Sequence, residues 1–386
     1  MNKKRIDILI PDFSDLGAQR VAINLANGLN NTHIVRFVVF DRNGSFHKYL
    51  HTDIPIVSLN ETISNIPKLR VLLKIFSYRN TAKKNNTDIA ISFSPITNYA
   101  VVFAKLGNKK IKTIIQEHAF PSLFLKDREN VSALYEILFK HLLIKIYEKS
   151  DCFVTITDAI KKDFIENFNI KSKFFEVVRN PLDIEKINSL AHELVNDFTF
   201  DHEKKYLIAI GRLSEQKNFK RLIDIFEKVK KQKSNTELLI IGKGALESEL
   251  KEHAKKKNLE NFVHFLGFKE NPYSYVSKSD VFCLSSNWEG LPQVIAEAMV
   301  CRTPVVAHDC QSGPAEMIQN KKNGMLTPYG DLDKFAQAVI EILENENLHK
   351  LITDNAYNFA TQEYSLEKYT AQYKKIIEAL LKKERQ

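Results

Sequence analysis

Val281-Phe282-Cys283-Leu284-Ser285-Ser286-Asn287-Trp288-Glu289-Gly290-Leu291-Pro292-Gln293-Val294-Ile295-Ala296-Glu297-Ala298-Met299 passes from an apolar run through a loop into a helical pattern. The run Val281 to Leu284 has no polar face, which suits a strand buried on both sides of a parallel sheet. Gly290 breaks the strand, and Pro292 has the fixed φ and missing N–H of a first helical turn. Val294, Ile295, Ala298 and Met299 then repeat at helical spacing. Strand, tight loop and helix form the repeating unit of α/β sheets, whose ligands gather at such loops.

The loop has a chemistry of its own. Glu289 lies in it, and the N–H groups of Gly290 and Leu291 stand as donors at the positive end of the helix, a place for an anionic or hydroxyl-rich ligand. Glu297 follows two turns on, about 12 Å along the axis at about 1.5 Å per residue. At that separation the two carboxylates neither share a proton nor flank one bond as a glycosidase pair does. They suit the two ends of one elongated ligand. The alternative makes Glu289 a helix-start charge and Glu297 an exposed helix residue.

Outward from this stretch the same unit recurs. Tyr206 to Ile210 is an apolar strand followed by Gly211, Arg212 and Lys217. Two cations around a glycine that admits close backbone approach suit a diphosphate, and a pair of surface cations is the other reading. After the strand at Leu238 to Ile241, Gly242-Lys243-Gly244 begins a dinucleotide fingerprint whose third glycine falls on Glu247, which disfavours a nicotinamide or flavin site. Further strands are expected at Phe262 to Leu266 and Val305 to Ala307, and Ser312-Gly313-Pro314 reads as a short turn.

The first half gives strands at Ile6 to Ile10, Ile34 to Phe40, Ile89 to Phe93, Lys112 to His118, Phe153 to Thr157 and Phe175 to Arg179. Gly17 sits in the loop after the first of them. Strands alternating with helical patterns predict parallel sheets. The polar stretch from Asp183 to Lys205, with weak helical character, reads as a hinge.

At 386 residues the chain is long enough for two domains, and 44% hydrophobic residues supply their cores. A formal charge of +9 points to an anionic partner: nucleic acid, acidic lipid or a phosphorylated substrate. Cys152, Cys283, Cys301 and Cys310 have neither metal-ligand nor disulfide-framework spacing, which places the chain in a reducing cytoplasm. The N-terminal apolar stretch is too short for a signal peptide, and none is long enough to cross a bilayer. Two basic amphipathic segments, Lys68 to Arg79 and Tyr135 to Lys149, read either as domain helices or as contacts with an anionic membrane surface.

In this order the motifs resemble the retaining glycosyltransferases of the fourth family, with the GT-B fold. Leu16-Gly17-Ala18-Gln19-Arg20-Val21 is similar to the family's first-loop Gly-Gly-Ala-Glu-Arg-Val element. Gly211-Arg212-Leu213 through Lys217-Asn218 resembles its diphosphate loop, and Glu289 through Met299, followed by Thr303-Pro304-Val305-Val306, resembles its two-glutamate signature. Leu16 and Gln19 depart from the pattern. The resemblance implies an α/β fold of two Rossmann-like domains facing a cleft: an acceptor domain at 1–183, a linker at 184–205, a donor domain at 206–364, and a last helix at 365–386 crossing back onto the first domain.

It also implies roles. Arg212 and Lys217 hold the donor diphosphate, Gly17 and Gly211 admit it, Glu297 binds the ribose, and Glu289 with the Gly290 and Leu291 amides binds the transferred sugar. His118 faces that sugar. The implied activity is retaining transfer of a hexose or N-acetylhexosamine from a nucleotide sugar, chiefly a UDP-sugar, without metal or other cofactor. The expected acceptor is a lipid-linked saccharide or a lipopolysaccharide or surface-polysaccharide intermediate. The expected location is cytoplasmic, peripheral at the inner membrane face. Asp331-Leu332-Asp333 reads as a helix cap rather than a metal site. The rival functions are a nucleotide-sugar epimerase of the same fold and a non-catalytic binder of anionic polymers; nucleic acid is disfavoured because the lysines lack aromatic interleaving.

Overall fold

The computed structural model describes residues 3–14, 17–59, 67–118, 120, 122, 143–170 and 175–382, the side chains of 67–71 excepted. The chain divides into two compact units, Met1–Pro181 with Leu366–Gln386, and Leu182–Ser365.

The first unit holds seven parallel strands: β1 Arg5–Ile10, β2 Ile34–Val39, β3 Ile56–Ser58, β4 Ile89–Ser92, β5 Lys112–Glu117, β6 Cys152–Thr155 and β7 Phe175–Val177. Their order is β3-β2-β1-β4-β5-β6-β7. The second holds β8 Lys205–Ile210, β9 Thr236–Ile241, β10 Val263–Gly267, β11 Val281–Leu284, β12 Val305–Asp309 and β13 Met325–Pro328, in the order β10-β9-β8-β11-β12-β13. In both sheets the winding direction reverses, at β1/β4 and at β8/β11. The carboxyl ends of strands at such reversals splay their loops apart and leave a crevice.

The central strands are buried throughout, as continuous apolar runs require. The last helix, Leu366–Lys382, completes the first unit. Its Tyr369, Tyr373, Ile377 and Leu380 share one core with Ile8 of β1 and with Val21, Leu25 and Leu29 of the helix Gly17–Asn30.

The segment read as a hinge lies inside the second unit, and the division falls at Pro181/Leu182 instead. Its polar composition conceals a helix, Ile184–Ala191, capped by the Asp183 carboxylate on the Lys186 N–H at 3.1 Å. Ile187 and Ala191 are buried, and the helix packs on Tyr273–Val276 and Gln293–Val300.

Pro67–Lys84 is a domain helix packed on Pro95–Gly107. Lys74 points inward, 3% exposed, and pairs with Asp41 at 2.6 Å, so its charge is not offered to a surface. Leu72 and Phe76 are exposed. Of the second basic segment, residues 135–142 lie outside the described residues; beyond them Leu143 and Tyr147 are buried. Among the described residues no helix is long and apolar enough to cross a membrane.

Candidate active site

The winding reversal of the second sheet brings two loops together. Strand β8 runs into Gly211–Asn218 and then the helix Phe219–Gln232, while its neighbour β11 runs into Ser285–Pro292 and then the helix Gln293–Val300. Asn218 ends the first loop in the left-handed conformation (φ 45°) and caps its helix by accepting the Arg221 N–H at 3.1 Å. The loops are then stitched to each other. Ser285 Oγ donates to the Lys217 and Asn218 carbonyls, the Asn287 N–H to the Gln216 carbonyl at 2.7 Å, and Gln216 Nε2 to the Trp288 carbonyl at 3.1 Å.

At the centre stands Glu289, 5% exposed. Lys217 Nζ and Ser286 Oγ both reach its Oε1 at 2.6 Å. An enclosed ion pair of this kind recovers its desolvation cost only through such added hydrogen bonds. Both bonds fall on Oε1. Among the described residues, the Gly290 and Leu291 N–H groups have no hydrogen-bond partner. The helix begins at Gln293 with Pro292 as its cap residue, so these amides precede the first turn instead of opening it. They remain a local pair of donors beside a carboxylate.

Gly211 lies beneath the lysine. A Cβ there would come within 3.1–3.2 Å of the Lys217 side-chain carbons, which would have to shift by a few tenths of an ångström. Arg212 is exposed and forms no ion pair among the described residues, which leaves its guanidinium available to an anion. Glu297 sits half-buried on the helix beyond, where Tyr273 OH donates to its Oε1 at 3.4 Å.

Three parts of this arrangement escape a reading of the sequence. Ser286 carries no motif of its own, yet it fixes Glu289. Ser312-Gly313, read only as a turn, seats the glutamate loop: Ser312 Oγ donates to the Glu289 and Gly290 carbonyls at 2.9 and 3.1 Å. Gly313 adopts φ +93°, and a Cβ there would stand 2.5 Å from Pro292 Cδ. Arg221 bonds Asn287 Oδ1 at 3.0 Å and lies 4.6 Å from the Tyr329 ring centre, bracing the loop from outside.

In the first unit, Gly17 is the exposed first residue of its helix, and Leu16 lies outside the described residues. Gln19 turns inward, 4% exposed, and donates to Ser14 Oγ at 3.0 Å. His118 follows β5. Its Nδ1 lies 3.4 Å from Asn180 Nδ2, and its buried Nε2 has no partner among the described residues. Burial drives its pKa down to about 4, so the ring is neutral at pH 7. The preceding Glu117 is buried and accepts hydrogen bonds from Asn98 at 2.8 Å and from Tyr147; burial outweighs both and raises its pKa to about 7.

Residues 192–359 match the family model described as glycosyl transferases group 1, and residues 17–186 the model described as glycosyltransferase family 4. The amylovoran biosynthesis glycosyltransferase AmsD of Erwinia amylovora is 30% identical over 354 residues, covering 91% of this chain and 93% of that one. This chain belongs to the family 4 glycosyltransferases. An N-acetylgalactosaminyltransferase of Campylobacter jejuni, named for an N-acetylgalactosamine-N,N'-diacetylbacillosaminyl-diphospho-undecaprenol substrate, is 27% identical over 361 residues, covering 92% of this chain and 94% of that one. Among solved structures, HepE of Anabaena in complex with UDP and glucose superposes with a TM-score of 0.76 at 19% identity, covering 97% of this chain and all of that one. The fold of this glycosyltransferase is therefore GT-B.

Asp331 caps the helix Leu332–Glu344, accepting the Lys334 N–H at 3.0 Å. Its companion Asp333 pairs with Lys228 at 2.7 Å. Among the described residues no group of three or more His, Cys, Asp or Glu side chains is placed to hold a metal.

Proposed function

We propose that this glycosyltransferase moves a hexose or N-acetylhexosamine from a nucleotide sugar, a UDP-sugar foremost, to a saccharide acceptor with retention of anomeric configuration. The observation that carries the reading is the enclosed Lys217–Glu289–Ser286 cluster beside the Gly290 and Leu291 amides, with the exposed Arg212 at the same loop. Cations and backbone donors are held together where a sugar diphosphate would present its charge and its hydroxyls.

The roles follow from the geometry and from the resemblance. Lys217 and Arg212 offset the charge that grows on the departing nucleoside diphosphate. Glu289, braced by Ser286, orients the transferred sugar, Glu297 takes the ribose, and Gly211 keeps the backbone close to the phosphates. On the first unit the same reading gives Gly17 a phosphate-approach role and His118 a neutral donor role. Retention is assigned to front-face attack, in which a donor phosphate oxygen accepts the acceptor's proton. No step calls for a metal.

The acceptor class is supported by what the relatives are named for. The Campylobacter protein's name carries a diphospho-undecaprenol, and AmsD is named for amylovoran biosynthesis. We assign this chain an acceptor of that kind, a saccharide on a lipid diphosphate or a growing surface polysaccharide, worked on at the inner face of the cytoplasmic membrane.

The test is a thermal-shift panel of UDP, GDP, ADP and TDP with their sugars, run with magnesium and with EDTA. Ligand at about 100 times its Kd adds roughly 2.7 kcal/mol to stability. Stabilisation by the uridine compounds in EDTA is the expected result, followed by an axial anomeric product from an α-linked donor in proton NMR. A shift only with another base, or only with magnesium, sinks the donor or the metal part of the reading.

A further inference from the structure

The neutral imidazole of His118 has two tautomers, and only one offers a proton at Nε2. Which one is present depends on what faces Nδ1. That group is Asn180 Nδ2, at 3.4 Å, if the Asn180 amide is oriented as its own partners require.

Those partners form a buried chain. Asn180 is 5% exposed, and its Oδ1 accepts from Gln116 Nε2 at 3.3 Å. Gln116, fully buried on β5, turns its Oε1 toward the hydroxyls of Tyr369, at 3.4 Å, and Tyr373, both on the last helix. Among the described residues these two hydroxyls have no partner other than Gln116 and each other.

This fixes the sense of every bond. If Gln116 were turned round, its amide N–H would point at the tyrosines and at least one buried hydroxyl proton would lose its acceptor, which the fold disfavours. With Oε1 on the tyrosines, both hydroxyls donate to one carbonyl oxygen, which has two lone pairs to receive them. Gln116 must then donate to Asn180 Oδ1, Asn180 must present its N–H to His118, and Nδ1 must accept. The proton is left on Nε2.

We propose that Asn180 is a positioning residue for His118: the Tyr369/Tyr373–Gln116–Asn180 chain locks the imidazole as its Nε2–H tautomer and so presents a neutral hydrogen-bond donor to an oxygen of the ligand. The ligand part of this statement rests on the function proposed above; the tautomer part does not. The burial that keeps the ring uncharged at neutral pH works in the same direction. The last helix thereby has a use beyond packing, because two of its side chains set the orientation of an amide on another element and, through it, the place of one proton.

The experiment is two-bond proton–nitrogen correlation NMR on the full chain labelled with ¹⁵N-histidine, with His118 assigned from the signal lost in His118→Ala. The expected wild-type pattern at pH 7 is the Nε2–H tautomer; an Nδ1–H pattern or an imidazolium overturns the proposal without need of a variant. Asn180→Asp replaces the donor by a carboxylate that can only accept. Its expected result is a proton at Nδ1, and an unchanged Nε2–H pattern in this variant, with intact circular dichroism, also overturns the proposal. A Tyr369→Phe/Tyr373→Phe pair frees Gln116 to turn, and a second His118 population is expected. Transfer measured on Asn180→Asp separates the two readings. A fall on the order of 10²-fold in kcat alongside the moved proton supports both. A moved proton with full activity keeps the relay and removes His118 from the ligand.

Discussion

The glutamate loop of the second unit and the histidine corner of the first are built on opposite electrostatic plans. Around Glu289 the chain spends charge: an ammonium on a carboxylate, an exposed guanidinium nearby, and a hydroxyl bracing the pair. Around His118 it withholds charge, through a ring kept neutral by burial, an amide, a glutamine and two tyrosines. A sugar nucleotide has the same division, with a dianionic diphosphate at one part and an uncharged ring of hydroxyls at another. In the proposed reading, cations would answer the first, and fixed neutral donors the second without the desolvation cost of a buried charge.

The strongest way to break this contrast is to remove charge where it is spent. Lys217→Ala leaves Glu289 enclosed without its counter-charge and takes away a diphosphate contact; transfer should fall by about 10³-fold, at the upper end for loss of one preorganised donor. Truncating one partner of an enclosed pair also costs about 3–5 kcal/mol, readable as a lowered urea midpoint. Glu289→Gln keeps the shape and removes the charge. Turnover should drop by about 10²-fold with a normal circular dichroism spectrum, and unchanged turnover would void the sugar contact assigned to it.

Gly313→Ala probes the frame in place of the charge. The left-handed φ and the 2.5 Å approach to Pro292 Cδ predict a loss of about 1–3 kcal/mol and a lower Tm, with kcat falling because the glutamate loop is displaced.

A subtler test uses pH on the neutral side. Glu117 binds its proton more tightly folded, with a pKa of about 7 against an ordinary 4.5, so its contribution is full below pH 4.5 and is lost as pH rises through 7. His118 runs the other way. Its folded pKa of about 4 lies below the ordinary 6.5, so stability is lost as pH falls from 6.5 toward 4. Between pH 4.5 and 6.5 the adjacent residues oppose each other. Glu117→Gln should therefore make stability climb more steeply with pH across that window, measured as urea midpoints at pH 5 and 6.5. An unchanged slope would show that Glu117 is ionised in the native state.

The smallest effect concerns thiols. Burial pushes Cys301 and Cys310 up to about 12, so neither should react with a thiol reagent at pH 8 until the chain is denatured.

Most of the frame was legible in the sequence because parallel strands advertise themselves as apolar runs. Two strands were not read. Ile56–Ser58 has three residues, Met325–Pro328 contains a threonine and ends in proline, and both lie at sheet edges where pairing on one side only relaxes the composition. The helix Ile184–Ala191 showed only as weak helical character because one face of it alone is buried, and eight residues are too few for periodicity to stand out. In the site, Lys217 and Glu289 could be singled out by their intrinsic chemistry, and His118 only through the family resemblance. Ser286, Ser312, Gln116 and Asn180 could not, since an amide or hydroxyl acquires a task only from the neighbour that folding gives it. The strand-end position of Asn180, just before Pro181, was the one available hint.

The path of the chain also has a consequence for how it is made. Tyr369, Tyr373, Ile377 and Leu380 belong to the core that begins at Ile6, so the first unit is stitched from segments that flank the second on both sides. During synthesis the second unit has all its residues in hand while the first still lacks a wall, and domains fold as their segments emerge. With the chain emerged through Ser365 and the helix Leu366–Lys382 still inside the ribosome, one unit would be complete and the other would expose the apolar face that this helix covers, the natural target of a chaperone until it arrives.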